Sequence, residues 1–223
     1  MARRPKNKSF AVLGLGRFGG NLVAELHNLG AEVLAIDSNP EKAESFAQYA
    51  THTVAANATD ERTLANLGIR NFDHVIVSFG EDIQSSVLTT LVLKEMGVKK
   101  VWVKAQNSYH QKVLDKIGAD HIIHPERDMA RRLAHHIISE KILDFIELSE
   151  EHSIVEIIAT KKINGKSLLD LDIRAKYGCN IVAIKTSDKI KVSPMADEVI
   201  TTGDVLIVIG SNKDINRFEK EGV

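Results

Sequence analysis

The sequence predicts an α/β protein: a doubly wound parallel sheet followed by a small α+β module. Three observations predict it. Short β-rich apolar runs alternate with helical patterns from Phe10 to about Glu140. A glycine-rich turn joins the first of those runs to the first helical pattern. Beyond the acidic patch Glu147, Glu150 and Glu151 the pattern changes to short strands with few helices. A chain of 223 residues holds one sheet-and-helix domain plus a smaller unit, and the expected domains are 8–140 and 141–223.

In the first domain the strand candidates are Phe10–Leu13, Glu32–Ile36, Thr53–Ala56, His74–Val77, Lys100–Lys104 and His121–Ile123, enough for one complete sheet. Between them, Phe18–Leu29 places Leu22, Leu26 and Leu29 on one helical face, and Ile83–Met96 does the same with Ile83, Val87, Leu91 and Met96. Those faces are expected to cover the sheet. Pro40 suits the first turn of a helix, where its missing N–H is not needed, and Gly97 and Gly118 suit helix ends. After Pro125 a helix runs to about Glu140, with Met129, Leu133, Ile137 and Ile138 as an apolar stripe beside Arg131, Arg132, His135 and His136. It packs on its own sheet or crosses to a twin subunit, and periodicity does not separate the two. In the second module Ser153–Thr160, Asn180–Lys185, Lys189–Val192 and Val205–Ile209 read as strands, and Asn212–Lys220 as a closing helix.

Composition excludes several classes. Hydrophobic residues at 43% and charged residues at 26% permit a packed core, and a net charge of −1 lacks the basic surplus that general nucleic-acid binding needs. One cysteine, Cys179, makes no intramolecular disulfide, and the first thirty residues lack the apolar core of a secretion signal. Apolar runs such as Val205–Ile209 fall far short of the ~18 residues that span a bilayer. The expected location is cytoplasmic, with any membrane role exercised through a partner. The basic opening residues Arg3, Arg4, Lys6 and Lys8 read as a solvated tail.

The strongest local signal is Gly14, Gly16 and Gly19 in GLGRFG, following an apolar strand and opening an amphipathic helix, as in a Rossmann-type dinucleotide fold. Gly14 allows the tight turn, Gly16 lets backbone amides approach a diphosphate, and Gly19 permits close helix-to-strand packing. Asp37 stands 18 residues after Gly19 at the end of the second strand, where a carboxylate accepts hydrogen bonds from ribose hydroxyls. The same carboxylate would repel a 2′-phosphate, so NADP is disfavoured. Polar residues at the carboxyl ends of the other strands line one crevice: Asn57 to Asp60, Ser78 to Gly80, Lys104 and Glu126. Arg17, inside the glycine turn, can reach a terminal phosphate. Glu126 would repel that phosphate unless Arg17 or a bound cation lies between them.

Chemistry is less well supported than binding. Tyr49, Tyr109 and Tyr177 are followed four positions later by Thr53, Val113 and Ile181, so the tyrosine–lysine pair of short-chain dehydrogenases is missing. Nine histidines raise a metal reading, but His121 and His124 flank a strand while His135 and His136 are neighbours on a helix, which points them apart. No GxSxG occurs and Cys179 has no activating partner in the sequence, so the chain is expected not to be an enzyme.

The runs FAVLGLGRFGGNLVAELHNLGAEVLAIDSNPEK, ATHTVAANATDERTLANLGI, VWVKAQNSYHQKVLDKIGADHIIHPERDMA and RAKYGCNIVAIK together resemble the RCK (TrkA-like) regulatory subunits of bacterial Ktr potassium transporters, over nearly the whole chain. The resemblance implies an N-terminal RCK domain and a C-terminal RCK module that binds ligand and dimerises. It also implies a homo-dimer assembling into an octameric ring on the cytoplasmic face of a membrane-embedded subunit of the KtrB or KtrD type. ATP would favour the conducting ring and ADP the closed one, with NAD(H) able to occupy the same cleft. Matching positions place Gly14, Gly16, Arg17, Phe18 and Gly19 at the phosphates and Asp37 and Asn39 near the ribose, while Asn57, Ala58, Thr59, Ser78, Phe79, Gly80 and Lys104 complete the pocket. Glu126 would help hold a divalent or monovalent cation near those phosphates. Related C-terminal modules bind cyclic di-AMP, and the similar positions here are Asp172, Ile173, Arg174, Ala175, Asn180, Ile181 and Pro194.

Overall fold

The computed structural model of the chain describes residues 8–139, 141–187 and 189–223. Arg3, Arg4 and Lys6 of the basic opening, and Glu140 at the expected end of the long helix, lie outside the described residues. Contacts divide the chain into two compact units between Glu126 and Arg127. The division falls inside the helix that follows Pro125.

The first unit holds β1 (Ser9–Leu13), β2 (Glu32–Asp37), β3 (His52–Ala55), β4 (His74–Val77), β5 (Val101–Lys104) and β6 (His121–Ile123). They form one parallel sheet in the order β3-β2-β1-β4-β5-β6. The order reverses between β1 and β4, which opens a crevice at the carboxyl ends of these two strands. The helices are α1 (Arg17–Asn28), α2 (Pro40–Ser45), α3 (Glu61–Asn66), α4 (Ile83–Glu95) and α5 (Ser108–Lys116). Alternation along β1 splits the core in two: Ala11 and Leu13 pack with Leu64, Leu93 and Leu114, and Val12 packs with Leu15, Val23, Val33 and Ala35. Strands buried on both faces read as continuous apolar runs, which is why β1, β2, β4 and β5 stand out in the sequence, whereas the edge strands β3 and β6 are only partly buried.

Two helical faces need correction. The face expected on α4 is not the covering one: Ser86, Thr89, Thr90 and Leu93 are buried, whereas Ile83 and Leu91 are exposed and Val87 is only half-buried. Apolar residues surround this helix, so spacing picks out no unique side. Threonine is tolerated inside because Thr89 donates to the Ala58 carbonyl at 3.1 Å and Thr90 to the Ser86 carbonyl at 2.7 Å. On α1, Leu22 and Leu26 pack inward, but Leu29 caps the helix and is exposed. Gly97 and Gly118 do end their helices, at φ +74° and +84°.

The second unit begins with most of α6 (Pro125–Ile138) and continues with β7 (Ile142–Glu147), β8 (His152–Ile158), α7 (Leu168–Leu171), α8 (Ile173–Tyr177), β9 (Asn180–Lys185), β10 (Ile190–Val192), β11 (Val205–Ser211) and α9 (Asn212–Arg217). Its five strands form an antiparallel sheet in the order β10-β9-β11-β8-β7. Strand β7 is not among the strands the sequence predicts, its apolar residues being interrupted by Asp144 and Glu147. It pairs with β8 through Phe145↔Val155 and Ile146↔Ile154, and Arg132 on α6 holds its Asp144 at 2.8 Å. Ile157, Ile200, Leu206, Val208 and Phe218 are the centre of the core. The apolar stripe of α6 is open, with Met129 59%, Leu133 53%, Ile137 69% and Ile138 85% exposed. No described helix is long and apolar enough to cross a membrane.

Trp102, the only tryptophan, lies on β5 and reports on the first unit. In urea unfolding followed by its fluorescence, Leu93→Ala is expected to cost about 2–5 kcal/mol, and the exposed Leu91→Ala less than about 0.5 kcal/mol; equal costs would contradict the α4 face described above.

Candidate functional site

The glycine turn is built by contacts that admit no side chain. Gly14 has φ +93°, and a Cβ there would lie 2.8 Å from the Ser78 carbonyl oxygen. A Cβ on Gly19 would lie 2.0 Å from the carbonyl oxygen of Gly14, so the turn rests directly against the first turn of α1. Gly16 differs: nothing lies within 4 Å of the Cβ position. Its smallness serves open space in front of α1, whose N-terminus has no side-chain cap and no acidic residue in its first turn. Unpartnered N–H groups and the helix dipole make that space attractive to an anion.

Asp37, ending β2, accepts the Leu15 N–H at 2.7 Å on one carboxylate oxygen and the Asn39 N–H at 2.9 Å on the other. It thereby ties the glycine turn to β2. Asn39 caps α2, its side-chain oxygen accepting the N–H groups of Glu41 and Lys42 at 2.8 and 3.2 Å. Asn57 folds the turn after β3 by accepting the N–H and hydroxyl of Thr59 at 3.0 and 2.9 Å.

A cleft of about 290 Å³ lies at these strand ends, lined by Gly14, Gly16, Asp37, Asn57, Ala58, Thr59, Ser78, Phe79 and Gly80 from the sequence-predicted set. Ser38, Lys42, Asp82 and Ser85 line it too and were missed. Asp82 and Ser85 form the cap of α4, with the Asp82 carboxylate accepting the Ser85 N–H at 2.9 Å, and a cap signature was the available signal. Lys42 gave no such signal.

Arg17, Phe18, Lys104 and Glu126 stand together beside this cleft rather than lining it. Lys104 is nearly buried, donates to the Glu126 carboxylate, and sits 6.0 Å from the centre of the Phe18 ring. That hydrogen bond, and more weakly the charge of Arg17, hold the Glu126 carboxyl below its usual range against the opposing effect of burial. Glu126 is thus neutralised by Lys104, which the sequence alone places on the pocket wall. Gln106, on the loop after β5, was also missed: its side-chain amide donates to the carbonyls of Phe79 and Gly80.

In the second unit Asp172 joins α7 to α8 in a left-handed conformation, φ 45°, uncommon outside glycine. Arg174, Ala175 and Asn180 are exposed, while the Ile173 side chain is in the core and leaves only its backbone for a ligand. The Ser193 N–H meets the Val182 carbonyl at 2.9 Å, which carries Pro194 toward the Ile181 end of β9. Burial pushes the Cys179 thiol up to about 11, with the Asp214 charge adding to it, so it is a poor nucleophile. Among the described residues no three His, Cys, Asp or Glu side chains are grouped to hold a metal ion.

Residues 10–125 match the TrkA-N domain and residues 152–221 the TrkA-C domain. The chain is 62% identical over 213 residues to the Ktr system potassium uptake protein C of Bacillus subtilis (strain 168), with 96% of each chain covered. It is 56% identical over 220 residues to the Ktr system potassium uptake protein A of the same organism, with 99% of each covered. Among solved structures it is similar in fold to the GsuK channel bound to NAD, with a TM-score of 0.54 and 23% identity over 97% of this chain and 38% of that one.

The two inner glycines are expected to respond differently to alanine. Gly19→Ala should destabilise the first unit by about 1–3 kcal/mol or more through overlap with the Gly14 carbonyl, whereas Gly16→Ala should cost no more than about 1 kcal/mol, the loss of a tolerant cap residue. Urea midpoints compare the two, and similar losses would refute the open space at Gly16.

Proposed function

The chain belongs to the family of Ktr potassium-uptake proteins, a TrkA-N domain followed by a TrkA-C domain, and from that membership we propose that it is the cytosolic nucleotide-sensing gating subunit of a potassium transporter. In this reading ATP and ADP compete for the cleft of the first unit, and cyclic di-AMP inhibits through the second. The observation that carries the proposal is the uncapped N-terminus of α1, facing open space at Gly16 and tied to β2 by Asp37. Phosphates rest there, and Asp37 takes the ribose. NAD(H) fits the same chemistry.

A sensor turns ligand identity into shape only if two assembly states bind the two ligands with different affinity. ATP and ADP differ by one phosphoryl group, so the discriminating contact belongs at the γ-phosphate; Lys42 lines the cleft, while Arg17 opens α1 where the phosphates rest, and Arg17 takes that contact in this reading. A coupling of about 1–3 kcal/mol is ordinary for such linkage. A cation at Glu126 would draw its other ligands from the phosphates. Binding is favoured over catalysis because the cleft acids Asp37 and Asp82 are engaged by backbone N–H groups.

The partner in this reading is a membrane-embedded KtrB- or KtrD-type subunit met by an octameric ring of homo-dimers. The exposed stripe of α6 supports assembly, since four large apolar side chains in a row are costly to leave in water. Arg174, with Ala175, Asn180 and Pro194 around it, supplies a cation and apolar contact suited to a cyclic dinucleotide.

Potassium flux into vesicles carrying the reconstituted channel, with ATP, ADP or cyclic di-AMP added, tests the whole reading. Arg17→Ala is expected to keep ADP binding but lose activation by ATP, and an unchanged ATP response would remove Arg17 from the switch. Arg174→Ala in the full chain is expected to abolish the calorimetric signal of cyclic di-AMP; heat equal to that of the parent would place the effector elsewhere.

A further inference from the structure

The wall of the cleft formed by Phe79 and Gly80 is the one the glycine turn rests against, since a Cβ on Gly14 would also lie 2.9 Å from the Phe79 ring. That wall is held from behind by Gln106, whose amide donates to the Phe79 carbonyl at 3.2 Å and to the Gly80 carbonyl. Gln106 is itself held: its backbone N–H is donated to Nδ1 of His110 at 3.3 Å. His110 is 2% exposed, its own N–H is bound by the Asn107 side chain at 2.9 Å, and its Nε2 meets no hydrogen-bond partner among the described residues.

A ring nitrogen that accepts a hydrogen bond carries no proton, so this arrangement fixes His110 as the neutral imidazole with its proton on Nε2. Protonating Nδ1 would set two N–H donors against each other. The bond to Gln106 would then break.

We propose that Gln106 and His110 are positioning residues of the nucleotide cleft, a proton-sensitive latch that holds the Phe79–Gly80 wall in its binding shape and lets it go on acidification. The surroundings agree. Burial first, and the charge of His124 second, lower the pKa of His110 below its ordinary value. His124 is nearly buried and lies 2.8 Å by Nε2 from the Gln111 side-chain oxygen; it is the titratable group whose charge acts on His110, and the Lys104–Glu126 pair stands at the ends of the same strands. The sign follows from linkage: the latched ring binds its proton more weakly than a released one, so the latch is complete above the ordinary imidazole pKa of about 6.5 and is lost progressively as pH falls below it.

This inference rests on the nucleotide reading of the cleft, and the test separates the two. The full-length chain is titrated by NMR at the His110 ring, with and without saturating ADP, and ADP affinity is measured at about pH 8 and about pH 6 for the parent and for His110→Asn. Asparagine keeps an acceptor near the Nδ1 position and does not titrate. By reciprocity, bound ADP should lower the His110 pKa by about half a unit, which weakens ADP binding relative to His110→Asn by up to about threefold at a pH below both His110 pKa values and by about twofold or less at about pH 6. Comparing the two proteins cancels the titration of the ligand's own phosphate. Absence of ADP binding at the higher pH overturns both readings. Binding with an unmoved His110 pKa overturns the latch alone, and that measurement stands on the parent protein even if the variant does not fold.

Discussion

The contact between the Gly14 carbonyl and the Cα of Gly19 is the constraint on which the cleft depends. It brings α1 so close to the end of β1 that the helix N-terminus, with its partial positive charge and unfilled N–H groups, arrives at the point where the sheet reverses its strand order. Asp37 locks the arrangement from the neighbouring strand by holding the Leu15 N–H. A pair of glycines and one carboxylate therefore set where an anion can be held before any ligand-specific side chain is considered.

Around that anion site the charges are arranged to balance. Lys104 and Glu126 neutralise one another on the side of β5 and β6. Among the described residues Arg17, which opens α1, and Lys42, which lines the cleft, are cations not paired with a carboxylate. The acids that line the cleft are committed to holding loops in shape. Such an interior suits discrimination between ligands more than bond making.

The second unit solves a different problem. Its antiparallel sheet buries one face in a single core and presents Arg174, Ala175 and Asn180 at the surface, on a short helix and the strand that follows it. The left-handed Asp172 sets the direction of that helix, a local strain that the surrounding core sustains.

What the sequence determined by itself was whatever depends on local rules. Parallel strands buried on both faces announce themselves as apolar runs, and Gly14, Gly19 and Asp37 mark the turn in front of α1 because its close packing and its tie to β2 demand those residue types there. The tertiary structure alone decided which side of α4 faces the sheet, because a helix apolar all round has no preferred face until something packs on it. It alone paired Lys104 with Glu126 and placed Gln106 behind the Phe79–Gly80 wall, since these partners are 22 and 26 or 27 residues apart and meet only when separate strands lie side by side. Strand β7 became visible the same way, through its pairing with β8 rather than through its own mixed acidic and apolar letters.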